Sequence, residues 1–252
     1  MVGKIHIMGI VNLTPDSFYA ASRTLAQDAL SRIEQMQADG ADVIDLGACS
    51  TRPGSVQPTQ EEEWSRLEPV LQALACRDHP ALSIDTYRPQ LVRRAHEIVG
   101  PFLVNDVGGG EPEMLQTVGP LGLPYIAMHG RVFEGDVVTD VLEFFQDFAR
   151  EAREAGIQEW LLDPGFGFSK NVRENYRLLQ ELDRITQAFP QETLVGVSRK
   201  SMAYKLLGIT PEEALPATQV LQFAALERGA TWLRVHDVAA AVQTARIFNQ
   251  MA

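Results

Sequence analysis

Short apolar and β-branched runs recur along the chain: KIHIMGI, ADVIDLG, ALSID, PFLVNDV, PYIAMH, EWLLD, TLVGVS and TWLRVH. Between them, apolar residues fall at helical spacing. Leu25, Ala29, Ile33 and Met36 share one helix face, as do Val141, Phe144, Phe145, Phe148 and Ala152. The stretches EEEWSRLEPVLQALA, RPQLVRRAHEIV, VRENYRLLQELDRITQAF, PEEALPATQVLQFAALERG and AAAVQTARIFNQM repeat that spacing, and EPEMLQTVGPLG shows it most weakly. The order is strand then helix, eight times over.

Dividing 252 residues by 8 gives 31.5 per unit, close to the ~30 residues of a strand, a helix and two short loops. Strict alternation predicts a parallel sheet, and eight right-handed units close into an α/β TIM barrel, (β/α)8. An open doubly wound sheet is the alternative if one or two strands are misassigned, and its ligand would also sit at carboxyl strand ends. No linker or composition shift divides the chain, so residues 1–252 are expected to form one domain.

The polar residues that a core would reject stand at the ends of these runs. Asn12 follows the first, Ser50, Thr51 and Arg52 the second, Asp85 the third, and Asn105 with Asp106 the fourth. His129 follows the fifth, Asp163 the sixth, Ser198, Arg199 and Lys200 the seventh, and Arg234 with His236 the eighth. In a barrel these ends converge on one mouth, where such folds build their sites. Carboxylates and a carboxamide (Asp85, Asp163, Asn105) suit the edge of a nitrogen-rich heterocycle. Arg52, Lys200, Arg234 and His236 supply cationic donors suited to phosphate oxygens. A site with both sets expects a phosphorylated heterocycle.

Composition narrows the partners. With 22 Lys+Arg against 33 Asp+Glu the net charge is 22 − 33 = −11, which argues against duplex nucleic acid or an anionic membrane, since both need clustered cations. The N-terminal run lacks a cleavage region, and no window reaches the ~20 apolar residues of a membrane helix. Cys49 and Cys76 form no CxxC pair, which suits a reducing cytoplasm.

Local strings sharpen the picture. NLTPDSF and STRPG are loops whose backbone N–H groups suit an anion, and DPGFGF places two glycines between a carboxylate and two aromatics. The ordered set MGIVNLTPDSF, DLGACSTRPG, LSIDTYRP, NDVGGG, MHG, LLDPGFGFSK, GVSRKSM and RVHDV closely resembles dihydropteroate synthase of bacterial folate biosynthesis, nearly end to end. That family has a (β/α)8 fold, uses Mg²⁺, condenses a dihydropterin pyrophosphate with para-aminobenzoate, and is the target of sulfonamides. The resemblance implies that Asp85, Asn105, Asp163 and Lys200 contact the pterin, with Met128 on the pocket wall. It implies Asn12 as the Mg²⁺ ligand, and Arg234 and His236 as the pyrophosphate contacts. Thr51, Arg52, Pro53, Phe168, Lys200 and Ser201 would surround para-aminobenzoate beneath the loops Asn12 to Phe18 and Ser50 to Gly54. A homodimer built on the last helices is also implied. Two departures stand out: Tyr19-Ala20-Ala21-Ser22 replaces the common Ser-Asp-Gly-Gly, and MHG continues into Arg131-Val132-Phe133.

Other readings compete residue by residue. Asp85 or Asp163 would serve equally as a helix cap, and His236 as an ordinary hydrogen-bonded histidine. Cys49 reads as small-residue packing, His6, His79 and His96 as structural or surface residues, and Glu61-Glu62-Glu63 as a solvated first helical turn. A pterin-binding methyltransferase would share the pterin contacts without needing Arg234, His236 and Asn12 or the STRPG loop. A protein that only binds pterin would not need every charged residue.

Overall fold

In a computed structural model that describes residues 3–13, 22–49 and 57–251, the eight runs form one parallel sheet. The strands are β1 (His6–Asn12), β2 (Val43–Gly47), β3 (Ala81–Asp85), β4 (Leu103–Asp106), β5 (Tyr125–Met128), β6 (Trp160–Asp163), β7 (Leu194–Val195) and β8 (Trp232–Val235). They lie in the order β6-β5-β4-β3-β2-β1-β8-β7, and Leu162 bridges Thr193 in parallel across the remaining seam. Neighbours in space are neighbours in sequence all the way round, so there is no switch point and the doubly wound alternative falls.

Period-two alternation along each strand positions the site. Met8, Val43, Leu103, Ile126, Leu161 and Leu194 form a small buried cluster with Trp232 packed against it, the plug inside the barrel. Two residues further along the same strands stand Ile10, Asp45, Asn105, Met128, Asp163, Gly196 and Arg234. The face that is apolar at the base therefore carries four polar side chains nearer the mouth, Asp45, Asn105, Asp163 and Arg234. The other face packs under the helices, where Ile7, Ile44, Leu46, Ile84, Val104, Ala127, Leu162 and Leu233 join the main core.

The helices are α1 (Ser22–Ala38), α2 (Gln60–Ala75), α3 (Pro89–Val99), α4 (Pro112–Leu121), α5 (Val137–Ala155), α6 (Val172–Gln180), α7 (Leu182–Ala188), α8 (Ser201–Leu207), α9 (Leu215–Glu227) and α10 (Val238–Met251). The weakest stretch, EPEMLQTVGPLG, forms α4. Two expectations need correction. The single helix expected over VRENYRLLQELDRITQAF breaks at Glu181, whose backbone leaves helical values at φ −112° and ψ 21°. Leu178, Leu182 and Ile185 all remain buried, so their spacing hides the break. The acidic run before Trp64 is not wholly solvated either. Thr59 and Glu62 make a reciprocal capping box, but Glu63 is fully buried, accepts the Thr86 hydroxyl at 2.7 Å and pairs with Arg88 at 3.3 Å.

Candidate functional site at the barrel mouth

Strand register sets the upper row of the mouth. Asn12 pairs with Gly47, Gly47 with Asp85, and Asp85 with Asn105, so four neighbouring strands end level. On β8, Arg234 lies opposite Met8 of β1, four residues before Asn12. Its Nε donates to Asp45 Oδ2 at 2.7 Å and its Nη2 to Asp85 Oδ2 at 2.6 Å. Asn105 Nδ2 donates to the same Asp45 oxygen at 3.1 Å. One guanidinium thus joins two carboxylates, and a carboxamide completes the group. Asp45 is fully buried and Asp85 nearly so.

The resemblance gave Asp45 no role, although a signal was present. A carboxylate inside the strand run VIDLG, in which all five residues are buried, needs a buried partner. Here the partner is Arg234.

On the opposite side, Asp163 ends β6 paired with Met128 of β5. Its Oδ1 accepts the Gly165 N–H at 2.8 Å. Gly165 is indispensable to this turn: its φ is +71°, and a Cβ there would stand 1.9 Å from the His129 carbonyl oxygen. Lys200, from the loop after β7, donates to the Phe166 carbonyl, and its Nζ lies 4.8 Å from the centre of the Phe168 ring. Phe166 is fully buried and acts in packing, whereas Phe168 is half-buried beside the mouth. Ser201 follows Lys200 and opens α8, a helix absent from the sequence reading.

Neither carboxylate is a helix cap. The residue before α3 is Arg88 and the cap of α6 is Asn171, which excludes that reading for Asp85 and Asp163. Asp106, next to Asn105, turns away from the mouth and accepts Tyr125 Oη and the N–H groups of Gly108 and Gly110, so it is structural.

Asn12 and His236 border a groove of about 510 Å³ that runs out between β1 and α1, lined also by Asp28, Ser31, Arg32 and Gln35. Arg32 Nη2 donates to the His236 carbonyl at 3.0 Å, and the His236 backbone N–H donates to Ser198 Oγ at 3.2 Å. Thr51, Arg52 and Pro53, with the loops expected to close the site, lie outside the described residues.

Burial dominates the electrostatics. It raises Asp85 to about 7 against the pull of Arg234, with Asp45 adding to the rise. Burial also raises Asp163, against Lys200 and the Gly165 N–H. Lys200 is lowered to about 8 by burial, with Asp163 opposing. Burial alone would lower Arg234, but Asp45 and Asp85 outweigh it and raise it, so this group stays charged. The mouth therefore offers two groups that titrate near neutrality and a permanent cation.

The sequence profile of the family described as pterin binding enzyme matches residues 8–236. A dihydropteroate synthase of Streptococcus pyogenes serotype M3 is 39% identical over 260 residues, covering 99% of this chain and 96% of that protein. Among solved structures, Xanthomonas albilineans dihydropteroate synthase with 4-aminobenzoic acid superposes with a TM-score of 0.91 at 35% identity, covering 98% of this chain and 93% of that one. The Clostridium difficile dihydropteroate synthase in the presence of pteroic acid gives 0.93 at 31% identity, covering 98% and 97%.

Proposed function

The chain belongs to the dihydropteroate synthases, which join a dihydropterin pyrophosphate to para-aminobenzoate and release pyrophosphate, and on that premise we propose how its barrel mouth divides the work. Asn105, Asp163, Asp85 and Lys200 take the pterin, with Met128 on the wall. Arg234 and His236 take the pyrophosphate end. Phe168, Ser201 and Lys200, with Thr51, Arg52 and Pro53, form the arylamine slot. The observation that carries this division is the pair of buried carboxylates, Asp85 and Asp163, facing across one mouth with a different cation beside each: Arg234 at 2.6 Å from Asp85, and Lys200 near Asp163.

The reaction displaces pyrophosphate from a methylene on the pterin ring by an arylamine, a weak neutral nucleophile. A dissociative path fits these residues. As the C–O bond breaks, positive charge spreads into the pterin, where the Asp85 carboxylate stabilises it, while Arg234 and His236 stabilise the departing anion. Para-aminobenzoate then forms the C–N bond, and its nitrogen gives up a proton to water or to the departing pyrophosphate. No covalent bond to the protein is needed.

Mg²⁺ fits the residues present. Among the described residues no group of three or more His, Cys, Asp or Glu could hold a metal ion, so a cage made by protein alone is not on offer. Asn12, on the wall of the groove that it shares with His236, would supply one neutral oxygen, with phosphate oxygens and water left to supply the rest. When bound, the ion would neutralise charge on the pyrophosphate as a Lewis acid.

The same proposal includes a homodimer in the cytoplasm. Leu206, Leu207, Val220, Ile247 and Met251 stand exposed on α8, α9 and α10, apolar side chains that a second copy would cover. Both cysteines are free, and no helix of the described residues is long and apolar enough to cross a membrane. Light scattering of the purified protein tests the dimer. The catalytic reading is tested by a coupled pyrophosphate-release assay with dihydropterin pyrophosphate and para-aminobenzoate. Release dependent on both substrates supports it, while pterin binding without release refutes it.

A further inference from the structure

Lys170 is a buried amine with no part in the chemistry above, lowered to about 7 by burial against the pull of Asp163. It is 7% exposed, at the end of the loop leaving β6. Its Nζ lies 2.9 Å from His129 Nδ1, 3.0 Å from the His129 carbonyl oxygen, 3.1 Å from that of Gly165 and 3.2 Å from that of Phe168. A protonated amine has three N–H bonds, and four acceptors converge on this one, three of them carbonyls, so one N–H is shared. The loop from Gly165 to Phe168 is thus wrapped round the amine and tied to the end of β5.

The surroundings support the same purpose. His129 Nε2 lies 2.6 Å from Asp140 Oδ2, and Arg131 Nη2 donates to the other oxygen of Asp140 at 2.8 Å. Burial and then Lys170 lower His129 to about 4, so its ring is neutral: Nε2–H donates to Asp140 and Nδ1 is left to accept from Lys170. From the other side Asn175 braces the loop, accepting the Gly167 N–H at 2.7 Å and donating to the Lys170 carbonyl at 3.0 Å. Two parts of this braced loop face the mouth: the Phe166 carbonyl that receives Lys200 and the Phe168 ring beneath its Nζ.

We propose that Lys170 is a positioning residue for the arylamine slot, holding the Gly165 to Phe168 turn so that the Phe168 ring and the Lys200 amine keep their places. This rests on reading Phe168 as a wall of that slot. A residue that served only stability would lower the amount of folded enzyme and leave the Michaelis constants alone. A positioning residue raises the para-aminobenzoate constant well beyond the pterin one, because Phe168 stands wholly on the turn that Lys170 holds, whereas Asp85 and Asn105 lie on strand ends away from it and Asp163 and Lys200 touch it through one hydrogen bond each.

The test is steady-state kinetics with both substrates, together with thermal unfolding, on Lys170→Met, Lys170→Arg and Phe168→Leu. Lys170→Met should raise KM for para-aminobenzoate about tenfold and leave KM for dihydropterin pyrophosphate within about twofold. Lys170→Arg, which keeps a cationic donor, should recover most of that loss. Unchanged Michaelis constants, or equal rises for both substrates, overturn the proposal. If Phe168→Leu leaves the para-aminobenzoate KM at the parent value, the slot reading itself has failed. If Phe168→Leu raises it and Lys170→Met does not, only the role of Lys170 has failed. Should Lys170→Met not fold, Lys170→Gln set against Lys170→Arg carries the same comparison: a para-aminobenzoate KM higher in Gln than in Arg supports the proposal, and equal values overturn it.

Discussion

Arg199 grips Asp237 with two arms of its guanidinium, Nε to Oδ2 at 2.8 Å and Nη2 to Oδ1 at 2.9 Å. Each partner is next in sequence to a residue of the mouth, Lys200 and His236. The pair therefore ties the loop after β7 to the loop after β8. The third arm donates to the carbonyls of Pro211 and Glu212, and Arg199 itself has a φ of +52°, a left-handed value that few residues with a side chain adopt. A fork of this kind, only about a quarter exposed, holds geometry better than an open surface pair.

Arg199→Lys keeps the charge and loses the fork. Inorganic pyrophosphate binding should weaken about tenfold in Arg199→Lys and in Asp237→Asn, and the double variant should be no worse than either single, as expected of two residues acting as one unit. Calorimetry reads this directly. Losses that add in the double variant would show that the two side chains act separately.

Arg234 leads to a second expectation. Its removal leaves Asp45, fully buried, and Asp85 without their cation. Breaking one side of such a pair typically costs ~3–5 kcal/mol. Arg234→Ala should lose stability on that scale in denaturant unfolding, and should weaken a pterin without pyrophosphate as well as one that carries it. Adding Asp45→Asn should restore part of the stability. Parental stability in Arg234→Ala would mean that the carboxylates are satisfied by other means.

Much of this is legible in the sequence, for a physical reason. A barrel strand alternates strictly, so a polar residue two places after a buried apolar one must either reach the mouth or find a buried partner. That places Asn105, Asp163 and Arg234 from sequence alone. The partner itself is not local information: Asp45 and Arg234 are 189 positions apart. Glu63 misled for the same reason, because its acidic neighbours are solvated while its own partners, Thr86 and Arg88, come from the next unit. The sequence reading covers the two glycines and two aromatics of DPGFGF, and nothing local told that the amine of Lys170, two residues further on, folds back onto three carbonyls.

Metal dependence tests the anion end of the site. With Asn12 as a neutral ligand, Mg²⁺ should bind the protein weakly until pyrophosphate supplies the charge. EDTA should abolish turnover and added Mg²⁺ restore it, and Asn12→Ala should raise the Mg²⁺ concentration needed for half-maximal rate. Full activity in metal-free buffer would defeat the assignment.

Asp85 provides the sharpest test, because its charge and its hydrogen bonds can be separated. In the ligand-free protein burial raises it from 3.8 to about 7, while Lys200 falls to about 8. If the ionised carboxylate stabilises the pterin cation and the ammonium is the working form of Lys200, kcat/KM should rise through about 7 and fall again through about 8, a narrow bell belonging to the free enzyme. The linkage runs the other way for stability. A carboxyl whose pKa is higher folded than unfolded favours the fold below about 4, and that contribution is lost as pH rises towards 7. Asp85→Asn should remove both slopes. It keeps the shape and an oxygen for Arg234, so a role limited to hydrogen bonding predicts a near-parental rate. Stabilisation of developing positive charge predicts a fall in kcat of ~10²-fold, the scale for one preorganised electrostatic group. A folded Asp85→Asn protein with kcat within about threefold of the parent and an unchanged acid limb would transfer the role to Asp163, the other carboxylate of the mouth.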